Sequence, residues 1–218
     1  MKKESKTLLW IVAVVVVVGI GFVLSSNGSA PLANSELLVR ADSHTTATGV
    51  YNYPVTLVEF GDYQCPACGF AEPLVEKLLT DYGNQIKLVF RHFPLSQHKN
   101  ALLAAQAAEA AGEQGKFWEM HRLLYTNQSA WGESDQALSF FLQYADQLKL
   151  NKETFTNDLQ TQKFLSKVQN DQKDGNSLNI DATPTFFMNG KKYAGNLNYP
   201  SLKNSIDQAL KETKKTTP

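Results

Sequence analysis

Cys65-Pro66-Ala67-Cys68 holds the only two cysteines among 218 residues, and they stand three apart. Two thiols at this spacing at the start of a helix can cycle between dithiol and disulfide. The flanks favour that setting. Val55-Thr56-Leu57-Val58-Glu59-Phe60 is an apolar, β-branched run that reads as a strand. Gly69 to Leu79 reads as a helix, with apolar residues at 70, 71, 74, 75, 78 and 79. The pair therefore falls between a strand and a first helical turn, where free N–H groups and the helix dipole stabilise a thiolate. Cys65 is expected to be the exposed, acidic thiol, and Cys68, one turn on, the buried one. A structural disulfide across so small a loop would gain little from chain entropy. A zinc site would need two further ligands, which His92 and His98 could supply.

Glu59-Phe60-Gly61-Asp62-Tyr63-Gln64-Cys65-Pro66-Ala67-Cys68 resembles the active site of the DsbA-like thiol:disulfide oxidoreductases of the thioredoxin superfamily, in particular their membrane-anchored bacterial branch. The resemblance continues through Phe90-Arg91-His92-Phe93-Pro94-Leu95, Gly115-Lys116-Phe117-Trp118 and Thr183-Pro184-Thr185-Phe186-Phe187-Met188-Asn189-Gly190, and covers residues 50 to 212. It implies an α/β thioredoxin fold with a helical insertion. It further implies that Cys65 and Cys68 form the redox pair, that Pro184 is a cis-proline beside them, and that Thr183, Pro66 and Ala67 border the bound substrate. A buried acid at Glu59 would relay a proton to or from the second cysteine; the alternative is a solvated glutamate at a sheet edge. Two departures stand out. Relatives commonly carry Gly where this chain has Ala182, and strongly oxidising members carry His where it has Ala67. Reference potentials run from about −270 mV for thioredoxin to about −120 mV for DsbA, and the intervening dipeptide is one determinant of the value.

The elements around the pair follow from local patterns. Residues 8–24 carry no charge and follow Lys2, Lys3 and Lys6. As a helix they would span about 25 Å, slightly less than a hydrocarbon core of about 30 Å. The expected layout is a cytoplasmic N-terminus over 1–7, a transmembrane signal anchor over 8–24 and a linker over 25–48, with everything after the anchor outside. A cleaved signal peptide, cut near Gly28 or Ala30, is the alternative, and it delivers the same domain to the same side. The thioredoxin-like domain is expected over 49–213, its helical insertion over about 97–178, and a short tail over 214–218. Leu37-Leu38-Val39 is a possible extra strand inside the linker. Ser134 is expected to cap a helix, Asn189-Gly190 to turn a hairpin, and Pro73 to interrupt the helix that follows the cysteines. His44 is placed in the linker, His92 and His98 beside the insertion, and His121, at helical spacing with Phe117 and Leu124, is read as a boundary residue.

With 21 basic and 21 acidic residues, nothing in the composition points to nucleic acid. The expected activity is an extracytoplasmic oxidoreductase, held at the membrane by its N-terminal helix, that introduces disulfide bonds into exported proteins. It would use no organic cofactor beyond the Cys65–Cys68 disulfide and no metal. By resemblance, its partners would be reduced or unfolded exported chains and a quinone-linked membrane thiol oxidase. The rivals are the same fold working as a reductase or isomerase, and a non-catalytic thioredoxin-like binding module.

Overall fold

The computed structural model describes residues 35–46 and 53–216. The expected anchor over 8–24 and most of the expected linker lie outside the described residues. Among the described residues, no helix is long and apolar enough to cross a membrane.

Five strands form one sheet in the order β1-β3-β2-β4-β5. β1 is His44–Thr45, β2 Val55–Gly61, β3 Ile86–His92, β4 Thr185–Met188 and β5 Lys191–Lys192. β2 lies at the centre, parallel to β3 and antiparallel to β4. Burial on both faces explains why its sequence is nearly continuous in apolar residues rather than alternating. A parallel neighbour requires a crossover, and α2, Pro66–Tyr82, supplies it. Pro66 sits at the first helical position, where a missing N–H costs nothing, and Pro73 lies inside the helix as expected. The β4–β5 hairpin turns on Asn189 and Gly190, whose φ values of 46° and 83° suit the tight turn that matches strand twist.

Between β3 and β4 come six helices: α3 Ala101–Glu113, α4 Phe117–Thr126, α5 Gln128–Trp131, α6 Ala137–Gln147, α7 Lys152–Gln160 and α8 Leu165–Ser177. This is the expected insertion. It carries its own apolar core around Met120, Leu124, Trp131, Phe141 and Phe155, which also takes in Cys65 and Cys68. A second core packs α2 and the final helix α9, Tyr199–Thr216, on one face of the sheet. A third, around Val58, Phe60, Val89 and Phe187, fills the other face.

Four expectations are corrected. Leu37-Leu38-Val39 is not a strand: Ser35–Leu38 forms the short helix α1. The Arg91 guanidinium holds it there, donating to the Leu37 carbonyl at 2.7 Å while also binding Asp171 and Asp174. Residues 35–45, expected in the linker, thus pack on the domain, and β1 pairs with β3 through His44↔Phe90. Ser134 does not cap α6, which begins at Ala137; its hydroxyl accepts the Gln136 N–H in the preceding turn. α9 runs to Thr216, into the expected tail.

Candidate active site

The cysteine loop follows directly from the end of β2. Cys65 is the N-cap of α2, with extended backbone, and its carbonyl accepts the N–H groups of Cys68 and Gly69 at 3.0 and 3.1 Å. Asp62, fully buried, organises the turn before it. One of its carboxylate oxygens accepts the Gln64 N–H at 2.7 Å. The other accepts the Leu95 N–H at 2.8 Å and lies 2.6 Å from His98 Nδ1.

The helical insertion clamps the same loop. Gln128 Nε2 donates to the carbonyls of Tyr63 and Cys65 at 2.7 and 2.9 Å. Asn100 donates its backbone N–H to Gln64 Oε1, and its side chain reaches the carbonyls of Trp131, Gly132 and Ser134. Insertion and thioredoxin core are therefore joined at the cysteines, so the pair sits on a support built from both.

The two thiols differ sharply. Cys68 is fully buried and Cys65 is 7% exposed. Cys65 is thus less open than its sequence position suggests, because the loop before β4 lies against it: its thiol donates to the Thr183 carbonyl across 3.3 Å. The Thr183-Pro184 peptide bond is cis. Pro66 and Ala67 are exposed beside Cys65, and Pro184 is half-buried. Of the residues implied at the substrate border, Thr183 meets the Cys65 sulfur directly, and Pro66 and Ala67 follow it in the chain.

Electrostatics follow this geometry. The Cys68 thiol beside it, above all, lowers Cys65 to about 5; burial opposes the shift, and Thr183 and the N–H groups of Cys68 and Ala67 assist it. Burial pushes Cys68 well above the ordinary thiol range, with the Cys65 thiol and the nearby Glu59 adding to it. Glu59 lies on the central strand at 1% exposure, which excludes the solvated-edge alternative. Neither of its carboxylate oxygens has a hydrogen-bond partner. Burial, reinforced by Glu72, holds its carboxyl well above the ordinary range.

Each histidine has a carboxylate partner, and His121, expected as a boundary residue, is buried. His44 and His92 both bond to Glu109, at 3.0 and 2.7 Å. His98 bonds to Asp62, so His92 and His98 serve separate carboxylates rather than meeting at the cysteines. His121 is buried between Tyr63 and Glu72, at 2.9 and 3.1 Å. The supporting roles of Asp62, Gln128, Asn100 and Glu72 escape sequence reasoning. Only Glu72 left a signal, as a charged residue on the buried stripe that includes Cys68, Ala71, Val75 and Leu78.

A family model described as Thioredoxin matches residues 42–208. The chain belongs to the thioredoxin family. This thioredoxin-family chain has the DsbA-like arrangement, with a helical insertion between β3 and β4. BdbD from Bacillus subtilis, in its oxidised form, is 27% identical to it at a TM-score of 0.71, over 84% of this chain and 97% of BdbD. Wolbachia pipientis alpha-DsbA1 shares the fold at a TM-score of 0.74 and 21% identity, over 85% of this chain and all of that one. Among curated proteins, Na(+)/H(+) antiporter NhaA 1 of Salinispora arenicola is 41% identical over 181 residues, which are 82% of this chain and 27% of the antiporter. The chain spans about a quarter of the length of the curated relatives it matches. Family and fold are thus those of the DsbA-like thiol–disulfide oxidoreductases that the chain resembles.

Proposed function

We propose that this chain oxidises thiols in exported proteins as they fold, tethered to the outer side of a membrane by residues 8–24. The observation that carries the reading is the asymmetry of the pair: Cys65 lowered to about 5 beside a Cys68 pushed up. In the oxidised form a substrate thiolate attacks the Cys65 sulfur and expels Cys68. A second substrate thiol then attacks the mixed disulfide, and Cys65 departs. An acidic thiol leaves quickly, and a stabilised thiolate favours the reduced enzyme, which makes the disulfide a stronger oxidant.

The cis loop supports substrate binding. Thr183 and Pro184 border the Cys65 sulfur, and an extended peptide beside them can be held through its main chain, which reads few side chains. Broad recognition suits a catalyst whose clients share only reduced cysteines. Pro66 and Ala67 form the rest of that border. The uncharged run behind three lysines supports the tether and its orientation. By resemblance, the reduced pair is reoxidised by a quinone-linked membrane thiol oxidase, and the enzyme needs neither organic cofactor nor metal.

A redox titration of the Cys65–Cys68 couple tests the direction of electron flow. A potential nearer the DsbA value of about −120 mV than the thioredoxin value of about −270 mV is expected. A value at or below the latter would make the chain a reductase.

A further inference from the structure

Both thiols are free in this structure, so the contacts around them belong to the dithiol form. Asp62 meets both cysteines through its backbone: its N–H donates to the Cys68 sulfur across 3.5 Å, and its carbonyl accepts the Cys65 N–H at 3.1 Å. A sulfur that has gained electrons on reduction carries more negative charge than a disulfide sulfur. A donor held against it therefore favours the reduced form. The same N–H opposes the burial that pushes the Cys68 thiol up.

Asp62 lies just beyond the last residue of β2, so where its backbone sits depends on what its side chain grips. Its carboxylate meets three donors: the Gln64 N–H at 2.7 Å, the Leu95 N–H at 2.8 Å and His98 Nδ1 at 2.6 Å. Gln64 belongs to the cysteine loop and moves with it. Leu95 and His98 do not; they tie the loop to the connection between β3 and α3. A carboxylate only accepts, so His98 Nδ1 carries the hydrogen. His98 is itself anchored at both ends of its backbone. Its N–H donates to the Leu95 carbonyl at 3.0 Å, and its carbonyl accepts the N–H of Ala101, the first residue of α3, at 3.2 Å. The Asp62 side chain is fully buried while that of His98 is 18% exposed. Water therefore cannot replace the His98 donor unless the loop moves, because a buried acceptor left unpaired is costly.

We propose that His98 is a positioning residue for the dithiol: through Asp62 it holds the N–H that faces Cys68 and the carbonyl that faces the Cys65 N–H, and so biases the couple toward its reduced form. His98 acts through Asp62 and not on either sulfur. Its loss lets the turn before Cys65 shift, which weakens the donor at Cys68 and the N-cap geometry at Cys65 together. Both changes favour the disulfide and make the chain a weaker oxidant. The inference rests on the Cys65–Cys68 pair as a redox couple and not on its direction of use.

The test is redox equilibration of the full-length chain with glutathione. Two glutathione thiols reduce the Cys65–Cys68 disulfide and become one glutathione disulfide, so the dithiol fraction reads the couple directly. His98→Leu removes the donor and is expected to move the equilibrium about tenfold toward the protein disulfide, which is about 30 mV for two electrons. His98→Asn sets an amide N–H where Nδ1 stands and is expected to return most of that shift. The ultraviolet absorbance of the Cys65 thiolate, titrated with pH, should show a higher midpoint in His98→Leu than in the wild type and His98→Asn. His44→Leu breaks a different histidine–carboxylate bond, to Glu109, and is expected to lower the unfolding midpoint while leaving the equilibrium unchanged. A merely structural His98 would behave in the same way. Near-ultraviolet circular dichroism checks that each variant folds. Should His98→Leu fail to fold, His98→Gln takes its place, since its longer side chain carries the amide past the Nδ1 position, and a shift in the same direction is expected. A wild-type equilibrium in the folded variant, equal shifts with and without the Asn donor, or the same shift in His44→Leu would overturn the proposal. Each shift is read against the wild type. A thioredoxin-like wild-type potential would therefore sink the oxidant reading and leave this comparison intact.

Discussion

The backbone N–H of Asp62 donates to the Cys68 sulfur across 3.5 Å. The residue just after the central strand therefore holds the buried thiol directly, and the same residue's carbonyl accepts the Cys65 N–H at 3.1 Å. Its carboxylate is fixed in turn by Gln64, Leu95 and His98. Any shift in Asp62 moves both sulfurs relative to the helix that stabilises their charge.

Asp62→Ala is accordingly expected to destabilise the domain by about 1–3 kcal/mol, since buried N–H groups lose their acceptor. Asp62→Asn, which keeps one acceptor oxygen, should recover part of the loss. Urea unfolding measures both. An unchanged midpoint in Asp62→Ala would show that the carboxylate carries no load.

Cys65 is expected to react with iodoacetamide at a rate that rises with its thiolate and levels off above a pH of about 5, the value its neighbours impose. Cys68, buried and shifted upward, should stay almost unreactive near neutral pH. A half-maximal rate for Cys65 near 8.5, the free thiol value of about 8.5, would remove the basis for its role as leaving group.

In Cys68→Ala the thiol that resolves the mixed disulfide is gone while Cys65 can still form it. Incubated with an unfolded thiol protein under oxidising conditions, this variant should accumulate adducts that dithiothreitol reverses, and Cys65→Ala should accumulate none. Equal trapping through either cysteine would end the assignment of roles and favour a binding module.

Glu59 makes stability depend on pH with a definite sign. Its folded-state carboxyl is held above the ordinary value of 4.5, so the folded chain binds more protons than the unfolded one above that pH. The wild type should lose stability as pH rises from about 4.5 toward the raised folded value, by up to about 1.4 kcal/mol per pH unit. Glu59→Gln lacks this penalty. Its advantage over the wild type should be smallest near pH ~4 and widen toward neutral pH in thermal melts of the reduced protein. A gap that stays constant across that range would mean that Glu59 titrates like a solvated carboxylate.

The sequence by itself determined the parts whose signals are local. Strand β2, helix α2 and the cysteines between them follow from periodicity and from a spacing of three, and so the pair's place at a helix start was legible. The Asn189-Gly190 hairpin and the helical insertion were legible for the same reason, since turn chemistry and apolar stripes act over a few residues. Resemblance added the role of Thr183-Pro184, which no local pattern carries.

Tertiary structure alone decided what faces the sulfurs. Thr183 lies 118 positions from Cys65 in the chain, yet its carbonyl takes the Cys65 thiol. Closing that loop covers a sulfur that the sequence left open. Helical spacing says nothing of the partners of Glu72 and His121, because their meeting is fixed by how α4 crosses α2. Leu37-Leu38-Val39 reads as a strand only until Arg91, itself committed to Asp171 and Asp174, captures the Leu37 carbonyl. Propensity over four residues is weak, and one buried guanidinium with fixed geometry outweighs it.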